Sequence, residues 1–139
     1  MVSFQNERGD GLDPSSTVLH NERDVVEYLK KHHVLLPPNI VVEWCHPDSD
    51  VKVPPPEGGV YFHPQVLALG VHLPLTVFVC QVLAYYDVAS TQLTSDAWQT
   101  VLAFEALCMD FAFDSYSAAD FATCYSMRKL SYGSYSFIP

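Results

Sequence analysis

Acidic side chains are the residues of this sequence that could support metal-assisted chemistry. Three carboxylates can hold two metal ions about 4 Å apart when a sheet presents them together. The candidates in the second half of the chain are Asp87, Asp96, Glu105, Asp110 and Asp114. No alternating strand pattern surrounds them, and they fall at the ends or on the faces of predicted helices. The pattern therefore indicates solvated helix residues, not a metal-binding active site.

Cysteine and histidine residues offer a second kind of chemistry. Cys45–His46, His63 and His72 could cluster in the middle of the chain, but their spacing fits no structural zinc pattern. A cysteine nucleophile needs a thiol of low pKa beside a histidine, and no histidine can be assigned to a particular cysteine. Gly58–Gly59 lacks the preceding strand and the following lysine of a phosphate-binding loop. We therefore predict no enzyme, no metal site and no cofactor.

The charge balance disfavours nucleic acid as a partner. Lys and Arg number 7 and Asp and Glu number 16, so the formal net charge is −9, whereas affinity for nucleic acid comes mostly from cationic neutralisation of phosphates. Tyr125, Tyr132, Tyr135 and Phe137 could mimic a stacking platform for single strands, but they lack a basic groove. Packing or pairing of a terminal hairpin is the favoured interpretation of these rings.

Apolar patterning and cysteine usage indicate the compartment. The first eight residues contain no apolar run of the kind that a signal peptide needs, and no stretch is apolar for long enough to span a bilayer. We therefore expect an intracellular protein, cytoplasmic or nuclear, with no membrane contact. Cys45, Cys80, Cys108 and Cys124 lie tens of residues apart. We expect reduced thiols, three of them serving as small apolar fillers in helices.

The chain is organised as a tail followed by one domain. Residues 1–20 are a turn-rich polar mixture, for which we expect a flexible N-terminal tail or a loosely docked arm. Residues 21–139 are expected to form a single helical domain, since folding at about this size buries roughly two-thirds of the chain's surface. Ile40–Trp44 and Tyr132–Phe137 resemble strands, and a proline-rich connector at 54–59 lies between them. Either these strands pair, or the chain is a fragment of a longer protein.

Hydrophobic spacing predicts three helices in the first two-thirds of the chain. The first covers about Glu22–His32, and a short second helix is ended by Gly70. A third opens at Leu73 with a proline in its first turn and runs to Tyr86. This third helix is apolar almost all round, so we expect it to be buried on every side as the central core helix.

Two further helices complete the predicted bundle. The fourth begins at a Thr94 or Ser95 cap, and its apolar stripe runs as far as Phe111. The fifth opens with a capping-box-like Ser117–Asp120. We thus predict a mainly α fold class: a compact bundle of about five helices with a minor two-stranded β element.

Two cations follow the fifth helix, and one carboxylate interrupts the fourth. Arg128 and Lys129 are placed to complement the negative end of the fifth helix. Glu105 lies in an otherwise apolar stretch of the fourth. A carboxylate in such a position needs a partner, which could be Arg128, Lys129 or a buried hydroxyl.

Motif order in the middle of the chain resembles a known family. The motifs are Pro55–Gly59, Leu69–Leu75, Phe78 with Val82–Leu83, Gln92–Thr94 and Ala97–Trp98. In this order and spacing they look like the plant family of gypsy-type transposon, or transposase-like, domains, over about residue 25 to the C-terminus. His72 stands where the family's turn has arginine, which would weaken any anionic contact made there. The resemblance implies a transposon-derived helical domain and carries over no catalytic residue.

These observations favour a binding function. We expect a non-catalytic protein–protein interaction or self-association module that forms a homo-oligomer. The expected contact surface is aromatic and consists of Trp44, Tyr61, Phe62, Tyr132, Tyr135 and Phe137. The alternative is a nucleic-acid-binding domain of a mobile-element protein, acting through a basic region elsewhere.

Overall fold

The computed structural model describes residues 2–4, 22–40, 42–44, 57 and 60–139. The chain divides into two compact units, Met1–Ala68 and Leu69–Pro139. The described residues contain five α-helices, a three-stranded sheet and a two-stranded sheet. The predicted fold class, mainly α with a minor β element, is confirmed. The prediction that residues 21–139 form a single domain stays a prediction.

The first unit contains a short parallel sheet. β1 (Val2–Phe4) lies between β2 (Val42–Trp44) and β3 (Val60–Phe62), and both pairings are parallel. β1 falls within residues 1–20, for which the sequence predicted a flexible tail or a docked arm. The remainder of that segment lies outside the described residues.

Two helices accompany this sheet. α1 (Glu22–Lys31) begins with acidic and ends with basic residues, which complements the helix dipole. Its buried face is formed by Val25 and Leu29, one turn apart, and it lies beside β2 and α2 (Pro64–Ala68). Both predicted helices are confirmed. The backbone at Gly70 has a φ of 102°, which only glycine adopts readily, so the chain leaves α2 where the sequence indicated.

The third helix begins later than predicted. α3 (Val77–Tyr86) is capped by Thr76, whose hydroxyl accepts a hydrogen bond from the Val79 N–H at 3.2 Å. The predicted start at Leu73 was wrong, because the threonine side chain satisfies a backbone donor of the first turn and so defines the helix start. Asp87, with a φ of 52°, ends the helix.

The fourth helix begins at the first of the two predicted caps. α4 (Ser95–Asp110) starts after Thr94, whose hydroxyl accepts a hydrogen bond from the Ala97 N–H at 3.2 Å. The ring of Trp98 is fully buried. Its indole N–H donates to the Ser90 carbonyl at 3.2 Å, so the largest side chain of the helix is both packed and hydrogen-bonded.

The fifth helix has the predicted capping box. α5 (Ala118–Cys124) follows Ser117, whose hydroxyl accepts from the Asp120 N–H, while the Asp120 carboxylate accepts from the Ser117 N–H at 2.9 Å. The placement of Arg128 and Lys129 at the end of this helix was wrong. The backbone is already extended directly after Cys124, so both cations lie in the next strand.

A hairpin closes the second unit. β4 (Ser126–Lys129) runs antiparallel to β5 (Tyr135–Ile138), and a 2.8 Å backbone hydrogen bond closes the turn between them. The predicted pairing of Ile40–Trp44 with Tyr132–Phe137 therefore does not form. Each strand has another partner, and for β5 that partner is its near neighbour in sequence, because closing a short loop costs little chain entropy.

α3 is buried on one side only. Phe78, Val79 and Val82 are buried, whereas Val77 and Tyr85 are 74% and 57% exposed. The prediction of burial on every side was wrong, because the neighbours of α3 in this small unit, α4 and α5, cover only one face. In the described ranges, no helix combines the length and the apolar character needed to cross a membrane.

The core of the second unit is a cluster of aromatic rings around Phe121. This side chain is fully buried, and its ring centroid lies 4.9 Å from that of Tyr125 and 4.9 Å from that of Phe137. Phe104 lies 5.3 Å away in an edge-to-face arrangement, and Phe78 lies 6.2 Å away. One ring thus connects α3, α4, α5 and β5. Such pairs add about 0.5–1.5 kcal/mol each beyond the burial of area.

Phe121→Ala is expected to lower the free energy of unfolding by about 3–5 kcal/mol, because it leaves a cavity at the centre of the cluster. Urea unfolding followed by circular dichroism measures the change. The control is Phe113→Ala, since Phe113 is 60% exposed and its truncation should change stability by less than about 0.5 kcal/mol. Equal effects of the two substitutions would contradict the central position of Phe121.

Ser117→Ala is expected to cost about 1 kcal/mol, because it removes the hydroxyl that caps α5. Ser115→Ala is the matched control, since Ser115 is exposed and lies two residues before the cap. The same urea experiment compares the two variants. A Ser117 variant as stable as the Ser115 variant would show that the capping box contributes nothing to stability.

Candidate interaction surface

The structure places two of the predicted contact residues in the interior. The predicted surface comprised Trp44, Tyr61, Phe62, Tyr132, Tyr135 and Phe137. Phe62 and Phe137 are both buried, and the ring of Phe137 belongs to the aromatic cluster. These two side chains therefore contribute to packing and not to an exposed surface.

The other four predicted residues differ in how the structure describes them. Tyr61 and Tyr135 are half-buried, so each keeps part of its surface accessible. Trp44 lies in β2 and Tyr132 in a short turn before β5, but the side chains of both lie outside what the structure describes. A contact role for these four residues stays a prediction.

The exposed apolar surface lies at the end of α4. Leu107, Met109, Phe111 and Phe113 are each more than half exposed. The helix ends at Asp110, and the chain then turns back towards it. The rings of Phe111 and Phe113 lie 6.4 Å apart, centroid to centroid. We call this stretch, Leu107–Phe113, the α4 exit segment.

Sequence periodicity had placed Phe111 in the buried stripe of α4, and this was wrong. The helix stops one residue earlier, and Ala112 adopts a left-handed backbone with a φ of 50°. Alanine rarely adopts that conformation and carries no turn signal in a sequence. The periodic pattern therefore appeared to continue where the backbone turns away.

An open groove of about 340 Å³ lies beside the exit segment. Residues of α3, α4 and the loop before α5 line it: Thr76, Val77, Phe78, Gln81, Glu105, Met109 and Tyr116. The ring of Phe78 packs edge-on against that of Tyr116 at 5.3 Å. We call this feature the α3–α4 groove. Its walls are mostly apolar, and Glu105 is its acidic group.

Glu105 is buried, with 8% of its surface exposed. Among the described residues its side chain forms no hydrogen bond or ion pair, so the partner that the sequence suggested is not present within this part of the chain. Burial, then the negative charge of Glu105, and then Cys108 raise the pKa of Tyr116 above its ordinary value. Like an ordinary tyrosine, Tyr116 keeps its hydroxyl proton at neutral pH.

The remaining candidate carboxylates are solvated. Asp87, Asp96, Asp110 and Asp114 are all exposed, as predicted, although Asp114 lies in the loop before α5 and not on a helix. The prediction of a solvated side chain was wrong for Glu105, which is buried. Within the described ranges, no group of three or more His, Cys, Asp or Glu side chains is arranged to hold a metal ion.

The histidines considered for zinc binding differ in how exposed their side chains are. His63 is buried and His72 is exposed. Cys45–His46 lies outside the described residues, so the structure does not test that half of the candidate set.

Three cysteines were predicted to pack in the core, but the structure buries one of them. Cys108 is buried, whereas Cys80 and Cys124 are exposed. The prediction was wrong for these two, because they lie on the uncovered faces of α3 and α5. Burial raises the pKa of the Cys108 thiol, and the negative charge of Asp120 and the nearby Cys124 add to the shift.

Comparison with known proteins gives a family. Residues 60–129 match the family described as "Putative gypsy type transposon", which is just over half of the 139 residues. The chain belongs to this family. The gypsy-type transposon domain extends from β3 to β4 and includes the α3–α4 groove and the α4 exit segment. No protein with a curated description and no solved structure is significantly similar to the chain.

Iodoacetamide at neutral pH is expected to alkylate Cys80 and Cys124 well before Cys108, because burial and a raised pKa limit both access and thiolate formation. Peptide mapping by mass spectrometry follows each thiol separately and distinguishes Cys45. Denaturation in urea should remove the difference between the three sites. Equal rates in the folded protein would contradict the burial of Cys108.

Proposed function

We propose that this gypsy-type transposon domain is a non-catalytic module for protein–protein interaction or self-association. The observation that carries the proposal is the α4 exit segment, in which four large apolar side chains are each more than half exposed. Contiguous exposed apolar groups on a folded unit are typical of surfaces that a protein partner covers. Covering them gains roughly 25 cal/mol for each Å² removed from water.

The chemical character of the segment supports a protein partner. Phenylalanine and methionine are enriched in protein interfaces relative to the remaining surface. Met109 also lines the α3–α4 groove together with Val77, which is itself largely exposed. The groove and the exit segment therefore share Met109. A flexible methionine at their junction can adapt to the shape of a partner.

A non-catalytic role is supported by the distribution of acidic side chains. Asp87 caps the C-terminal end of α3, and Asp96 lies in the first turn of α4. Asp110 is the last residue of α4. These carboxylates lie at separate helix ends, whereas two-metal catalysis needs them side by side.

The wild-type protein is expected to form a homo-oligomer at micromolar concentration, with a symmetric dimer as the commonest outcome for such surfaces. Replacing Phe111 and Phe113 by serine should weaken association by at least about tenfold, because it removes two exposed rings from the contact. Light scattering across a hundredfold dilution measures the mass. The fold should persist, because both rings lie outside the core.

Leu35→Ser is the matched control, since Leu35 is 93% exposed and belongs to the first unit. It should leave association unchanged. A wild-type mass that stays monomeric throughout the dilution would contradict self-association. Titration of labelled DNA and RNA at low salt tests the alternative, and saturable binding there would replace a protein partner with nucleic acid.

A further inference from the structure

Glu105 is a carboxylate at the edge of an apolar core. It lies on the buried stripe of α4 with Val101 and Cys108, and only 8% of its surface is exposed. A carboxylate in such surroundings is costly unless a cation or hydrogen-bond donors satisfy it. Among the described residues no such group contacts its side chain.

The accessible part of Glu105 opens into the α3–α4 groove. Every fully enclosed side-chain nitrogen and oxygen in the described part of the chain has a hydrogen-bond partner. The Glu105 oxygens have none, so they must keep some access to solvent. Because Glu105 lines the groove, that access is through the groove.

The groove specifies the chemistry of what fits it. A cation can pair with the carboxylate of Glu105, and a guanidinium is well suited because it presents several donors to a carboxylate. Val77, Phe78 and Met109 supply apolar walls for the stem of a long side chain and for its apolar neighbours. The groove therefore fits an arginine flanked by apolar residues.

The second unit carries one such segment on its own surface. Arg128 and Lys129 are its only two cations, and both are exposed on β4. Leu130 follows them and is half-buried, whereas Met127 pairs with the buried Phe137 on the face of β4 opposite Arg128. Neither cation forms an ion pair within the described part of the chain. An unpaired carboxylate in a groove and an unpaired arginine on a strand thus occur in the same unit.

We propose that the α3–α4 groove of one copy receives the Arg128 side chain of a second copy, which pairs with Glu105 while Leu130 borders the apolar walls. The pairing rests on the proposed self-association and specifies where it occurs. In a symmetric dimer each copy supplies one groove and one arginine, so two equivalent contacts form.

The test is a complementation experiment with two variants. Glu105→Gln and Arg128→Gln should each weaken the dimer by at least about tenfold, because each leaves one charge unpaired in both contacts. An equimolar mixture of the two variants restores one intact contact, between Arg128 of the first variant and Glu105 of the second. Analytical ultracentrifugation should therefore show more dimer in the mixture than in either variant alone.

The matched controls remove a charge of the same sign at a different position. Asp96→Asn removes an exposed carboxylate from the same helix, and Lys129→Gln removes the neighbouring cation from the same strand. Both should dimerise within about threefold of the wild type. Urea unfolding of Glu105→Gln reports any loss of stability, and Arg128→Gln, at an exposed site, tests the contact without disturbing the core.

Three results would overturn the pairing. A monomeric wild type would remove it together with self-association. If the wild type dimerises and the Glu105 and Arg128 variants dimerise equally well, the pairing is excluded and self-association remains. Weaker variants whose mixture recovers no dimer would show that the two residues do not meet across the contact.

Discussion

The ring of Phe121 is the point at which the second unit is held together. It is fully enclosed, and rings from α3, α4 and β5 lie within 4.9–6.2 Å of it. Apolar burial of this kind is the main favourable contribution to folding. Because α5 has only seven residues, it is too short to be stable by itself and depends on these contacts. The capping box at Ser117 then adds to the stability that the packing provides.

This arrangement explains why apolar side chains are left outside. α3 and α4 carry more apolar residues than one face of each can bury, and the second unit has few elements to cover the rest. Residues on the covered face contribute to the cluster, whereas Val77 and the α4 exit segment face solvent. A surface of this kind has a free-energy cost in water that a binding partner would remove. The proposed interaction function follows from that imbalance.

Glu105 relates the interior of the unit to that surface. A leucine at this position would continue the buried stripe of α4, whereas a carboxylate there places an acidic group at the edge of the groove. The groove and the exit segment both lie within the region that defines the gypsy-type transposon family. The specific contact proposed here depends on the surroundings of Glu105 and on the exposure of Arg128.

Local chemistry was readable from the sequence by itself. The capping box at Ser117, the cap at Thr94 and the stop at Gly70 each depend on residues close together in the chain, so the helices that they define were largely predicted. Composition and motif order likewise indicated a mainly helical fold and a transposon-derived family. These features depend on short-range hydrogen bonds and backbone preferences, which a sequence states directly.

Only the tertiary structure decided which apolar faces are covered. Helical periodicity could not distinguish the buried Phe78 from the exposed Val77 on an all-apolar helix, nor could it reveal the turn at Ala112 that exposes Phe111. The pairing of β1 with β2 and β3, and the groove around Glu105, depend on residues far apart in the chain. Burial is a property of what lies opposite a side chain, and a sequence specifies the side chain without specifying its neighbour across space.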